Sequence, residues 1–200
     1  MTYKKIYQHC QGFTTPVRRN LVRDELLKIT GVRRLMVVKT GLDVSTCRGF
    51  YLSARNTDHP FVKQVGGHVV VLARDQEPAW DRLVFVKEAL HLLDDPIEAT
   101  DSGDELEAQL NELTGPGNPI RSPQMKAELQ CYWMALSLLC PETRRQEFIK
   151  QREAGEITDY DVALGLRIPE KAAQRLFLPN FLELINKIMD NHEAANGTKK

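Results

Sequence analysis

Two hundred residues, 42% apolar, 27% charged and 7% aromatic, suffice for one compact core with a modest extension. Twenty-seven Lys and Arg balance 27 Asp and Glu, which excludes a global basic field for nucleic acid and the repulsive charge of an acidic disordered chain. The longest apolar runs, Met134 to Cys140 and Leu83 to Val86, fall short of the roughly 18 to 20 residues that cross a bilayer, so no membrane partner is expected.

The N-terminal MTYKKIYQHCQGF has no apolar stretch of secretory length, and a cytoplasmic chain is expected. Cys10, Cys47, Cys131 and Cys140 have neither C-x-x-C pairing nor metal-finger spacing, and are expected to be reduced thiols. The first predicted helix follows Pro16, with Val17, Leu21, Leu26 and Ile29 near one side and Gly31 at its end. Three β-rich runs, 32–40, 47–54 and 68–74, are separated by Gly, Asp, Asn and Pro clusters, with Gly66-Gly67 turning into the third. They predict a small, mostly antiparallel sheet.

From Pro78 the period becomes helical, and Leu83, Val86, Leu90 and Leu93 form a stripe that must face a core. Residues 94–112 carry eight acidic groups and no Lys or Arg, and with TGPGNPIRSP after them they predict a solvated acidic segment running into a loop. A helix Pro123 to Leu139 should stop at Pro141 and another begin at Glu142. Two short helices should flank Gly165-Leu166-Arg167-Ile168-Pro169, and the helix FLELINKIMDNH should end in a frayed polar tail. The fold class expected is α+β, a small sheet packed on the Lys87-containing helix and followed by an all-helical C-terminal half.

That helix carries Lys87-Glu88-Ala89-Leu90-His91, so residues 87 and 91 lie one turn apart on one side, beside the core stripe. The spacing is that of H-E-x-x-H with lysine in the first position. In the intact motif two imidazoles bind zinc and the glutamate takes a proton from the bound water. With the strand HVVVLARD before it and Arg82 five residues ahead of Lys87, the segment resembles that of the ImmA/IrrE family of zinc metallopeptidases. Two further stretches are similar to the family: Glu128, Ala135, Leu138, Leu139 and Pro141 match its third-ligand helix, and ITDYDVALGLRIPEKAAQRLF its closing helix pair.

The resemblance implies a zincin-like domain over 32–178, a helical segment 1–31 before it, and a helix and tail 179–200 after it. It implies metal-ligand positions at residue 87, His91 and Glu128, a general base at Glu88, and the repressor-regulating or repressor-cleaving roles of bacterial and phage relatives. The chain departs from the pattern at Lys87, at Leu90 for a glycine, at Met134 for a phenylalanine and at Cys131 for an alanine. An ammonium with a pKa near 10.4 must lose its proton before it can ligate, at about 4 to 5 kcal/mol at neutral pH. The expectation is therefore a degenerate metallopeptidase fold that binds no cofactor and serves as a regulatory or protein-binding module, with a charge cluster of Lys87, His91 and Glu128. The acidic segment and the last helix are its candidate partner surfaces.

Two other readings stand beside it. One is an active zinc endopeptidase with an atypical ligand set of His91, Glu128 and a third group. The other is DNA binding through the helix pair 157–177, with Arg167, Lys171 and Arg175 on its turn and second helix beside four acidic residues. For Lys87 itself, the plain alternative to a charge cluster is a side chain in solvent.

Overall fold

The computed structural model describes residues 2–94 and 122–197, and side chains as far as residue 195. The elements are α1 (Tyr3–Cys10), α2 (Arg19–Thr30), β1 (Leu35–Thr40), β2 (Gly49–Leu52), α3 (Pro60–Val65), β3 (His68–Ala73) and α4 (Pro78–Leu90), with a 3-10 turn at His91–Leu93. Then come α5 (Pro123–Leu139), α6 (Glu142–Glu153), α7 (Asp159–Leu166), α8 (Glu170–Ala173), a 3-10 turn Gln174–Phe177 and α9 (Phe181–Gly197). The fold is α+β with a helical C-terminal half.

The sheet is mixed, in the order β1-β3-β2, with β1 parallel and β2 antiparallel to β3, where a mostly antiparallel sheet was expected. The reason is the place of β3. Val69, Val70, Val71, Leu72 and Ala73 are all fully buried, so this strand needs cover on both faces and a neighbour on both edges. Val70 and Leu72 enter the main core, while Val69 and Val71 join Leu52 and Val62 beneath α3. Helix α4 packs across β2 and β3, and α5 packs on α4. The approach of β2 to α4 is close: a Cβ on Gly49 would lie 2.8 Å from Val84 Cγ1 and 2.7 Å from the Val71 carbonyl oxygen.

Two helices were not foreseen. Helix α1 buries Tyr3, Ile6 and Cys10, one i, i+3, i+7 face, against α5 and α9. Helix α3 is a short run between the His59 N-cap and Gly66, whose φ of 66° closes it in the left-handed region. In α2 the buried pair is Val22 and Leu26, while Leu21 is 43% exposed. Five residues of α-helix turn through about 140° beyond one full turn, so Leu21 and Leu26 do not share a face, whereas Val22 lies one turn from Leu26. Ser122 caps α5 by accepting from the Met125 N–H, and Thr158 and Asp161 form a reciprocal cap on α7.

Helix α9 runs on to Gly197, past the expected end at His192. Its apolar side, Phe181, Ile185, Ile188 and Met189, is buried in the core cluster that also holds Tyr3, Val22 and Leu26. The last helix is thus a core element, and the apolar face suspected of partner binding is used internally. Beyond Asp94, the acidic segment lies outside the described residues. Among the described residues, no helix is long and apolar enough to cross a membrane, and all four cysteines are free thiols.

Candidate functional site: a buried charge cluster at the end of α4

Lys87 and Glu88 occupy the last turn of α4, and His91 ends the helix and opens the 3-10 turn, where a mid-helix position was expected. Apolar neighbours hold this turn in the core: Val86, Ala89 and Leu90 are fully buried, with Leu83 and Leu93 nearly so. The Asp94-Asp95-Pro96 sequence that follows does not favour another α-turn. Helix α5 brings Glu128 and Cys131, one turn apart, alongside.

The sequence-predicted residues converge. The Lys87 Nζ donates to Glu88 Oε1 at 2.8 Å and forms an ion pair with Glu128 Oε2. Its side chain is 17% exposed, so the solvated-lysine alternative does not describe it, and Glu88, at 2%, is no ordinary surface carboxylate. His91 Nε2 points into the same cluster, 3.3 Å from Glu128 Oε1 and 3.6 Å from Glu88 Oε2. Neither Nε2 nor Glu88 Oε2 makes a hydrogen bond. His91 therefore presents an unbonded ring nitrogen to two carboxylates already claimed by an ammonium.

Four residues outside the predicted cluster complete the site: Asp94, Cys131, Tyr3 and Tyr51. Asp94, expected at the head of a solvated acidic run, is instead buried, with Oδ2 2.5 Å from His91 Nδ1. The 3-10 turn places it there, since residues three apart eclipse in that geometry. Cys131 Sγ lies 3.7 Å from the same Nδ1 and 3.2 Å from the Tyr3 hydroxyl, so α1 reaches the site from behind. The Tyr51 ring stacks on His91 at 5.9 Å and on His68 at 5.8 Å, which puts an aromatic ring between the two histidines. The i, i+3 spacing of His91 and Asp94 was the one signal available for Asp94. Tyr51 and Tyr3 reach the site only through tertiary packing.

The charges are strongly coupled. Burial alone would lower the Lys87 ammonium's pKa, but Glu88 and Glu128 reverse this and hold it above the ordinary lysine range. Burial would raise Glu128, but Lys87 and His91 hold it well below the usual carboxylate range. At Glu88 burial wins over Lys87, and that carboxyl is raised. Burial would lower His91, yet the Asp94 carboxylate on Nδ1 holds it well above the ordinary imidazole value, with the carboxylates of Glu88 and Glu128 on its other side. The Cys131 thiol is pushed up to about 11, chiefly by burial, and is neutral near pH 7.

A pH dependence follows from the raised His91. A group whose pKa is higher folded than unfolded contributes stability that is complete below the unfolded value, here 6.5, and is lost as pH rises through the folded value. The melting temperature should therefore fall as pH rises from about 6.5 into the alkaline range, and His91→Gln should flatten that slope. Parallel slopes in wild type and variant across a pH series would show that the imidazole is not held charged by its neighbours.

Two sets of donor atoms lie close enough to surround one ion, Glu88/His91/Glu128 and His91/Asp94/Cys131, each within 4.8 Å. The zinc that the sequence resemblance implies does not fit the first set as it stands. A catalytic zinc site takes three protein ligands and a water. Here the ammonium of Lys87 engages both carboxylates and leaves one imidazole. In the second set Nδ1 is already hydrogen-bonded to Asp94. Compared with family models, curated proteins and solved structures, the chain has no match.

Proposed function

We propose that this chain is a metallopeptidase-like scaffold in which an internal ammonium takes the place of the metal, and that it works in the cytoplasm as a regulatory or protein-binding module and not as a hydrolase. One observation carries the reading: Lys87 is bonded to both Glu88 and Glu128 while His91 turns Nε2 toward the same point. An ammonium there supplies the positive charge that the buried Glu88 carboxylate and the half-buried one of Glu128 require, but it has no exchangeable water to deprotonate. Glu88 then lacks the nucleophile that a metal would generate by bringing the pKa of water from about 15.7 toward 7. The acidic sequence 94–112, with no Lys or Arg, supports a partner-binding role over a chemical one.

Metal analysis of protein purified without chelators tests this directly. The expected result is no stoichiometric zinc and no peptide hydrolysis. Stoichiometric zinc that disappears in His91→Ala would overturn the proposal and establish an active enzyme with an unusual ligand set.

A further inference from the structure

At the other end of α4 lies a cavity of about 830 Å³, within the size range of small-molecule sites. Its walls come from four parts of the chain: the N-terminus of α2, the N-terminus of α4, one face of α7 and the turn after α7. Four arginines line it, namely Arg18, Arg19, Arg82 and Arg167. Arg19 is paired with Asp81, which also binds Lys39, so its charge is answered within the protein. Arg82 is not answered: its Nε and one Nη are buried and have no hydrogen-bond partner.

Buried guanidinium donors without acceptors are rare, because the desolvation they suffer is not offset. Burial, together with the positive charges of Arg167 and Arg19, pushes the Arg82 pKa down to about 10, so the guanidinium groups feel one another across this space. Arg167 adds a separate observation. It is the one non-glycine residue among those described with a positive φ, 55°, at a helix end where glycine is the residue without strain. An arginine held in that conformation presents its side chain to the cavity.

The cavity also has an apolar side. Tyr160 and Leu164, one turn apart on α7, are 60% and 66% exposed and line it. We propose that this cavity binds a small phosphomonoester, with its phosphate on Arg82, Arg18 and Arg167 and its organic body against Tyr160 and Leu164. Three guanidinium groups from separate elements suit the several oxygens of a tetrahedral dianion better than one planar carboxylate. Glu77 and Glu170, which also line the cavity, oppose a long polyanion, which favours a small ligand over duplex DNA.

Calorimetric titration of the full chain with phenyl phosphate tests the site, with phenol, benzoate, inorganic phosphate and a short DNA duplex as comparisons. Phenyl phosphate is expected to bind, inorganic phosphate to compete with it, and phenol and benzoate to bind at least about tenfold more weakly. Arg82→Gln should weaken binding about tenfold to a hundredfold, the effect of losing one charge-assisted donor. Arg167→Gly should weaken phenyl phosphate while raising the melting temperature, a pair of opposite effects that a purely structural residue would not give, and it serves if Arg82→Gln does not fold. No heat from phenyl phosphate at millimolar concentration, affinity unchanged in both variants, or benzoate bound equally well would overturn the proposal. Tighter, salt-dependent binding of the duplex through the same arginines would replace it with a nucleic-acid surface.

Discussion

Lys87→Met is expected to destabilise the protein by about 3 to 5 kcal/mol near neutral pH, the range for removing one partner of a buried ion pair. Methionine nearly matches the length of the lysine side chain, so the loss reports charge more than volume. What remains is two carboxylates facing each other and His91, with Glu88 almost wholly buried. In the wild type the two contribute to acid stability with opposite signs. Glu128, held below its unfolded value of 4.5, contributes stability that is lost as pH falls, while the raised Glu88 favours the folded state more at low pH. Without the ammonium both carboxyls move up, and a raised carboxyl contributes stability that is present below the unfolded value and lost as pH rises. The deficit of the variant should therefore be largest at neutral pH and shrink toward pH 4 to 5 or so. Adding Glu128→Gln should restore part of the loss at neutral pH. Urea unfolding in the presence of a chelator, across a pH series, reads all of this. A deficit below about 1 kcal/mol with no pH dependence would place Lys87 among ordinary surface lysines.

The legible and illegible parts of this site divide by physical origin. Lys87, Glu88 and His91 are set by helical spacing within a run whose apolar stripe had to face inward, so one pattern carried both the burial and the juxtaposition. Glu128 is pointed to by the resemblance in a separate helix, and the packing of α5 on α4 brings it to Lys87. For Asp94 composition and geometry point in opposite directions. An aspartate opening an acidic run reads as solvated, yet the 3-10 turn after Leu90 folds it back onto the imidazole. Helix α1 had its signal in Tyr3, Ile6 and Cys10, masked by the polar residues between them. The parallel pairing of β1 with β3 was not legible from local alternation. The unbroken apolar run of β3 announced a strand buried on both faces, but the choice of partner on each edge is a non-local matter.

Lys87→His should turn the cluster into a zinc site. Two ligand atoms about 2.0 to 2.1 Å from a tetrahedral zinc lie about 3.3 Å apart, and His91 Nε2 and Glu128 Oε1 are already 3.3 Å apart. Asp94 on Nδ1 holds the imidazole in the tautomer and orientation that leave Nε2 as the ligand, the arrangement that supports metal-binding histidines generally. What the wild type has at position 87 is a competing cation that already engages both carboxylates, where the intact motif has a donor. The substitution changes both at once: it adds an imidazole one turn before His91 and frees the carboxylates of Glu88 and Glu128. The variant purified in zinc should carry the metal stoichiometrically, and wild type should not. Free zinc at a thousand times its dissociation constant should stabilise the variant by about 4 kcal/mol, reversed by a chelator. Adding Asp94→Asn should then weaken zinc about 10- to 100-fold without removing a ligand. A folded Lys87→His protein that takes up no zinc would mean that the side chain at 87 does not reach the point where His91 and Glu128 meet, and the internal ammonium would lose its meaning as a substitute for a metal.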